Sequence, residues 1–335
     1  MSTSTPTPAP APDESFVQET GAVERTFEKK TGLRSLLPSR SAKLIVGVTI
    51  LGIFILYAIV MPFFVRDPNA ISTFRLTPPG HDGFIMGSNL AGQDVWAQLA
   101  YGTRGSLIIG AIVGILAAVL STLFGVLGTY VGGWWDEGFA LFTNVILVIP
   151  GLPLTIVISN YVPPEKRGLF VLALVLAITS WAGSARVLRS VTLSVRNRDY
   201  VIASKISGEK TWRILVVEIL PNLIPVMASQ LIFSIIFAIL GEAGLSFLGL
   251  GAGTRFTLGK ILQQANQSLA LTQGAWWWFI PPGILISILG MALSLINFSI
   301  DEIINPKLRN STRAARKKWG LTPAQINALE KENVL

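Results

Sequence analysis

Six long apolar runs, separated by polar segments, dominate the pattern of this sequence. Each run is close to the ~20 residues that an α-helix needs to cross the hydrocarbon core of a membrane. The predicted spans are Leu44–Val65, Ser106–Tyr130, Gly138–Asn160, Leu169–Val191, Leu223–Leu248 and Phe279–Ile300. Pro150 and Pro153 lie inside the third run and predict a kink in that helix. The pattern therefore predicts an all-α membrane protein with six transmembrane helices.

A polar, basic segment, Asp199–Asn222, separates the fourth and fifth runs and reads DYVIASKISGEKTWRILVVEILPN. It predicts two short helices, Tyr200–Ser207 and Lys210–Leu220, on either side of Gly208, with Pro221 closing the second helix. A chain reversal between two spans needs only a short loop. A helix–Gly–helix of this length therefore predicts a surface that contacts a partner outside the membrane. A solvated basic loop against anionic lipid is the alternative.

Composition and charge agree with a membrane protein. The chain is 51% hydrophobic and 14% charged, whereas soluble domains carry about 25% charged residues. Of the 27 Lys and Arg residues, 20 lie before the first span, around the 199–222 segment or after the last span, and seven lie in the other connections. The positive-inside rule then predicts that both termini and the 199–222 segment are cytoplasmic. The net charge of +8 belongs to these membrane flanks and does not indicate nucleic acid.

These patterns divide the chain into five parts. The segment before the first span starts with residues that are poor in large apolar side chains and ends with basic residues. Its composition predicts disorder. The parts are a cytoplasmic tail 1–43, the first transmembrane helix 44–65, an extracytoplasmic segment 66–103, a transmembrane core 104–302 that contains the loop 199–222, and a basic cytoplasmic tail 303–335.

The residue types exclude several kinds of chemistry. The chain has no cysteine and one histidine, His81, so disulfides and zinc–cysteine sites are excluded and imidazole chemistry is scarce. Gly259-Lys260 is followed by Ile261, so it does not complete a phosphate-binding P-loop. We therefore expect no catalytic residue, cofactor or metal in this chain. If it moves a solute, the energy comes from another subunit.

Two groups of side chains leave alternatives open. Glu242 lies in an apolar run about 30 Å along its helix from Leu223, near the outer interface. It is either a gate that contacts the translocation path or a carboxylate hydrogen-bonded to a neighbouring helix or to water, and the second alternative is favoured. The run Trp276–Trp278 either anchors the last span at the headgroups, which is favoured, or stacks on a ligand such as a sugar.

Several stretches of this sequence resemble a known family. YVIASKISGEKTWRILVVEILPN resembles the EAA loop of importer-type ABC permeases, and in particular the C-like permeases for dipeptides, oligopeptides and nickel. Four further stretches fit the same family in order: GSNLAGQDVWAQLAYGTRGSL, GTYVGGWWDE, SWAGSARVLRSVTLSVRNRDY and GEAGLSFLGLG. The resemblance covers about residues 44–310.

The resemblance implies a type I ABC importer permease fold and a transmembrane subunit that is not itself an enzyme. Its implied partners are a second, homologous permease in a heterodimer, two cytoplasmic ABC ATPases that carry ATP–Mg, and an extracytoplasmic solute-binding protein. Such a subunit in a prokaryotic plasma or inner membrane imports di- or oligopeptides by alternating access. Oligosaccharides or nickel are the alternative solutes. A stand-alone secondary carrier or channel is an alternative of another class, and it would predict mid-membrane charges or internal repeats.

The resemblance also implies which residues dock the ATPases. These coupling-helix residues are Tyr200, Ala203, Ser204, Gly208, Leu220 and Pro221. The chain departs from the family pattern at Ile202 and Ser204, where Glu and Ala are usual, and at Glu218, where His is common. In the extracytoplasmic segment, Ser88, Asn89 and Gln93 replace the more usual Thr, Asp and Arg.

Overall fold

Helices make up most of the protein. The computed structural model describes residues 42–304, apart from 164, 165, 167, 252, 254 and 255, and within this range there is no β-strand. The helices are α1 Ala42–Val60, α2 Val95–Val131, α3 Gly133–Val148, α4 Gly151–Tyr161, α5 Leu169–Arg196, α6 Asp199–Ile206, α7 Thr211–Phe247, α8 Leu258–Gln267 and α9 Trp276–Ile304. The predicted tails lie outside the described residues, except for residues 42 and 43, which begin α1, and residues 303 and 304, which end α9.

The number of spans agrees with the prediction. In the described part of the chain, α1, α2, α5, α7 and α9 are long and apolar enough to cross a membrane. The bent pair α3–α4 makes a sixth crossing if it is counted as one span. The predicted all-α membrane fold is therefore confirmed.

The second span begins at Val95 and not at the predicted Ser106. The Asp94 carboxylate accepts a hydrogen bond from the Trp96 N–H at 2.9 Å and caps α2. Val95 and Leu99 are buried in a cluster with side chains of α8 and α9. The predicted boundary was wrong because protein packing at the end of a span lets its helix continue beyond the purely apolar run.

The third predicted span is two helices that meet at 85°. Between α3 and α4, Ile149 and Pro150 both have extended backbone, with ψ of 123° and 121°. A proline disfavours helical backbone in the residue before it and has no N–H to donate. The kink predicted at Pro150 is confirmed, and it is sharp enough to end one helix and begin another.

The fifth span continues from the 199–222 segment without a break. α7 begins at Thr211, and a wider, π-helical turn at Ile214–Ile219 precedes Pro221. The predicted end of a helix at Pro221 was therefore wrong. Proline lacks the N–H that would bond to the carbonyl one turn earlier, and the change to i→i+5 pairing in the wide turn accommodates that loss.

Close backbone contacts join α2 to α5 and α7. A Cβ atom on Gly114 would lie 2.5 Å from the Ile235 side chain of α7. A Cβ atom on Gly125, in a wide turn of α2, would lie 2.4 Å from the Ala185 carbonyl of α5. Small residues allow helices in lipid to approach this closely, so these three spans form the centre of the fold.

The connection from α1 to α2 folds back on itself and lies against the start of α9. Trp277 donates its indole N–H to the Ser88 carbonyl of this connection at 3.2 Å and is 7% exposed. Trp278 is 3% exposed, whereas Trp276 is 51% exposed. The predicted headgroup anchoring is therefore wrong for Trp277 and Trp278, because protein covers them. Only Trp276 has the exposure that an anchor needs.

Candidate functional site: the surface of residues 199–222

Gly208 forms the turn between α6 and α7. Its φ is +78°, and the Glu209 N–H donates to the Ser204 carbonyl at 3.1 Å across it. A left-handed residue just after a helix is the commonest way to satisfy the last carbonyls, and glycine adopts it at least cost. No atom lies within 4 Å of a Cβ built on Gly208, so only its backbone angle demands glycine.

Buried apolar side chains attach this surface to the ends of α2 and α5. Val201 and Ile219 are 0% exposed and Ile214 is 2% exposed. The cluster comprises Val126, Tyr130, Leu188, Val195, Val201, Ile214, Ile219 and Leu223. Burial of each large side chain contributes roughly 1.5–3 kcal/mol. The 199–222 segment is therefore a rigid extension of three spans and not a loose loop.

Polar contacts join α6 to α7 and to α2. The Ser204 hydroxyl donates to the Glu218 carboxylate of α7. Within α7, the Asn222 amide donates to the Glu218 carbonyl at 2.5 Å. The Lys205 ammonium lies 5.2 Å from the ring centre of Tyr130 in α2, a cation–π contact. The Ser204–Glu218 contact therefore joins the two helical arms of the segment, and the Lys205–Tyr130 contact joins the first arm to α2.

An apolar face of the segment is left uncovered. Ile206 is 82% exposed and Trp212 is 62% exposed. The other exposed apolar side chains are Tyr200, Ile202, Val216 and Val217. Trp212 was missed as a candidate, although its spacing of four residues from Val216 places both on one side of a helix. Exposed tryptophan and isoleucine on a rigid surface are typical of a protein–protein contact.

The remaining predicted docking residues lie at different depths. Ala203 is exposed on α6. Leu220 is half-buried against the apolar cluster, and Pro221 is exposed on the side of α7. The structure pairs Ser204 with Glu218.

A partly buried ion pair supports the same end of the bundle. Arg189 of α5 donates from Nε to Asp136 Oδ1 at 2.8 Å and from the guanidinium end to Oδ2 at 3.1 Å. Asp136 lies in the first turn of α3, where an acid is stabilised by the helix dipole. The bidentate pair therefore holds the start of α3 against α5.

Glu242 lies at the opposite end of α7, wholly buried. Its Oε1 atom accepts hydrogen bonds from Ser246 Oγ at 2.5 Å and Thr257 Oγ1 at 2.6 Å. Thr257 also caps α8, and the next residue, Leu258, donates its N–H to Ser106 of α2 at 3.1 Å. The carboxylate thus joins α7 to the start of α8. This is the neighbour-bonded arrangement that the sequence favoured; a gating role stays a prediction.

Residues 110–310 match the protein family described as "Binding-protein-dependent transport system inner membrane component". The chain belongs to this family. The match makes it a permease with the type I ABC importer fold, and it includes both the 199–222 segment and Glu242.

Curated relatives extend this similarity over most of the permease. The dipeptide transport system permease protein DppC of Bacillus subtilis is 30% identical over 311 residues, which cover 89% of this chain and 94% of the relative. A putative peptide transport system permease protein of Brucella suis is 32% identical over 82% of this chain and 91% of its own. The oligopeptide transport system permease protein OppC of Bacillus subtilis is 30% identical over 86% and 94%.

In the part of the permease that the structure describes, no group of three or more His, Asp or Glu side chains is placed to hold an ion. Its ionisable contacts join helices to one another, as in the Arg189–Asp136 and Glu242–Thr257 pairs. The arrangement can therefore orient helices and present a surface.

Proposed function

We propose that this permease is the transmembrane subunit of an ATP-driven importer of di- and oligopeptides. The names of its relatives support peptides as the solute, because those of Bacillus subtilis are dipeptide and oligopeptide permeases. The proposal that other subunits drive the transport rests on one observation, the rigid 199–222 surface with its exposed Ile206 and Trp212. It projects from the ends of spans α2, α5 and α7, where a force applied from outside the membrane would reach the whole bundle.

Each of two ATPase subunits docks on one permease of a heterodimer, and this chain supplies one of the two surfaces. Tyr200, Ala203, Ser204 and Gly208 present the first arm, and Leu220 and Pro221 belong to the second. ATP–Mg binds to the ATPases only, so this subunit catalyses no reaction. When the ATPase pair closes, the docked surface moves as a rigid body and reorients the spans, which gives alternating access.

In this arrangement the 199–222 surface and both termini face the cytoplasm. The distribution of Lys and Arg supports that orientation. The segment between α1 and α2 then faces an extracytoplasmic solute-binding protein. Since the chain has no cysteine, single cysteines at Glu209 and Ile71 test the orientation directly. A membrane-impermeant maleimide added to intact cells should label the cysteine at position 71 and not the one at position 209.

The docking proposal is tested by placing a charge on the exposed apolar face. Ile206→Glu should reduce ATP-driven uptake of a labelled dipeptide at least tenfold and release the ATPase subunits during purification, because a desolvated carboxylate has no partner in the contact. Ile71→Glu is the matched control, since Ile71 is 74% exposed in the α1–α2 connection. It should leave ATPase retention unchanged, because position 71 lies outside the proposed docking surface.

Two outcomes would contradict the proposal. Unchanged uptake and unchanged ATPase retention in Ile206→Glu would exclude docking at this surface. Uptake that persists when ATP is depleted but stops with an uncoupler would indicate a stand-alone carrier instead. Oligosaccharide uptake in place of dipeptide uptake would change the solute and leave the docking proposal intact.

A further inference from the structure

Two adjoining cavities open on the surface of α2, one polar and one apolar. The polar cavity has a volume of about 580 Å³ and lies between α2, the residues just after α1, the start of α5 and Phe256. The apolar cavity has a volume of about 340 Å³ and lies between α1, α2, α7 and α9. Arg104 and Ile108 of α2 line both cavities, so the two adjoin at this helix.

The polar cavity contains both signs of charge. Arg104 is exposed in it and lies about 14 Å along α2 from Val95. Asp67 also lines it, and the Asp67 Oδ1 atom accepts from the Asn69 N–H at 2.9 Å. Among the described residues, the ion pairs use neither Arg104 nor Asp67. Arg104 precedes the apolar run that begins near Ser106, and a guanidinium at this end of a span is stabilised by an anion such as a phosphate.

Backbone contacts hold the walls of the polar cavity in place. A Cβ atom on Gly105 would lie 2.1 Å from the Phe256 carbonyl, so α2 touches this wall directly. The Pro68 carbonyl accepts from the Gln98 amide at 3.4 Å, which ties the turn after Asp67 to α2. Asp67 and Arg104 are therefore presented by connected elements, and their separation is defined by the fold.

The apolar cavity is lined only by hydrocarbon apart from Arg104. Ile55 and Ile59 of α1 are 44% and 57% exposed, and Ile108 of α2 is 38% exposed. Leu293 of α9 closes the far side. These side chains belong to membrane-spanning helices, so the surrounding solvent is lipid, and a groove of this kind in a span accepts an acyl chain.

We propose that the two cavities together bind one phospholipid whose headgroup carries a phosphate and a primary ammonium. The Arg104 guanidinium donates to the phosphate, and the ammonium donates to the Asp67 carboxylate. One acyl chain lies along Ile108 in the apolar cavity. Arg104 and Asp67 line the polar cavity and hydrocarbon lines the apolar one, as the headgroup and acyl chain of such a lipid require, and a guanidinium suits phosphate geometry.

A peptide would also bring opposite charges, but it fits the surface less well. A soluble peptide would use the polar cavity and leave the apolar groove and its exposed isoleucines to lipid. Only an amphiphile fills both cavities at once. The presence of Asp67 disfavours purely anionic headgroups because the carboxylate repels them.

Native mass spectrometry of the full-length permease in its complex, extracted in mild detergent, tests the site. Phosphatidylethanolamine, phosphatidylcholine and phosphatidylglycerol with identical acyl chains serve as probes. We expect one retained phosphatidylethanolamine. Arg104→Gln should lower its affinity about tenfold, the effect of losing a charge-assisted hydrogen bond. Arg75 is another exposed arginine, in the connection between α1 and α2. Arg75→Gln is therefore the control and should bind phosphatidylethanolamine as the wild type does.

Two further variants separate the parts of the site. Choline keeps a positive charge but has no N–H to donate, so Asp67→Asn should remove the preference for ethanolamine over choline. Ala111→Phe, in the lining of the apolar cavity, should displace the acyl chain and lower the affinity for all three lipids.

Several results would overturn the proposal. Unaltered lipid binding by Arg104→Gln, or an ethanolamine preference that survives Asp67→Asn, would exclude the headgroup contacts. A wild-type complex that retains no lipid would mean that another subunit covers this face. A labelled dipeptide that binds the delipidated complex, and no longer binds after Arg104→Gln, would make the polar cavity a substrate site instead.

Discussion

The Ser204 hydroxyl on α6 donates a hydrogen bond to the Glu218 carboxylate on α7. These are two of the positions at which the chain departs from the pattern of its family, and they meet across the turn at Gly208. The hydroxyl supplies a donor for a carboxylate whose other oxygen is buried without a partner among the described residues. The two departures therefore form one local contact and not two separate changes.

A second pair of departures from the family pattern also forms one local contact, in the connection between the first and second spans. Asn89 and Gln93 are also departures from the family pattern, and the Asn89 amide donates to Gln93 Oε1 at 2.8 Å. The Gln93 N–H in turn donates to Asn89 Oδ1 at 2.9 Å. An amide pair satisfies here the hydrogen bonds of a turn that leads into the cap of α2.

The Ser204–Glu218 contact is measurable by a double-mutant cycle. Ser204→Ala and Glu218→Ala should each lower the stability of the detergent-solubilised permease by about 1 kcal/mol, and the double variant should lose no more than about one of these amounts. Thermal unfolding followed by circular dichroism measures the losses. Ser207→Ala, at an exposed serine of the same turn, should have little effect. Additive losses would mean that the two side chains do not interact.

Gly208 should tolerate a side chain poorly because of its backbone angle alone. Gly208→Ala should lower stability by about 1 kcal/mol, the cost of a left-handed residue with a Cβ atom. Gly208→Asn should cost less because asparagine adopts this conformation more readily. Gly183→Ala, at an exposed helical glycine with open space around it, should stabilise the protein. Equal effects at positions 208 and 183 would contradict this account.

The Asp136–Arg189 pair should stabilise the contact between α3 and α5. The Asp136 side chain is 14% exposed, so Asp136→Asn leaves the guanidinium without its charged partner in a partly buried site. We expect a loss of about 1.5–3 kcal/mol in thermal unfolding. Glu137→Gln is the control, because Glu137 is the neighbouring, exposed acid. A loss of the same size in Glu137→Gln would point to the helix dipole and not to the ion pair.

Glu242 should anchor α8 to the spans. Glu242→Ala leaves two buried hydroxyls without an acceptor and creates a cavity, so we expect a loss of about 3 kcal/mol. Cleavage by an added protease between α7 and α9 should become faster. Ser234→Ala, a buried serine of α7 that bonds only to its own helix at Gln230, should leave the cleavage rate unchanged. Slow cleavage in Glu242→Ala would exclude the anchoring role.

The sequence by itself determined the features that depend on neighbouring residues along the chain. Long apolar runs predict spans because the hydrocarbon core sets one length for every crossing helix. Gly208 predicts a turn and Pro150 a bend, because each acts through its own backbone angles or its missing N–H. The helix–Gly–helix form of the 199–222 segment was predictable for the same reason.

Tertiary structure decided whatever depends on residues far apart in the chain. Whether Trp277 faces lipid or protein depends on the Ser88 connection that covers it, and the start of α2 depends on its packing against α8 and α9. Ser204, which bonds to Glu218, and Thr257, which bonds to Glu242, also belong to other parts of the fold. Local hydrophobicity reports only that a side chain avoids water, and in a membrane both lipid and protein satisfy that condition. Only helix packing distinguishes the two.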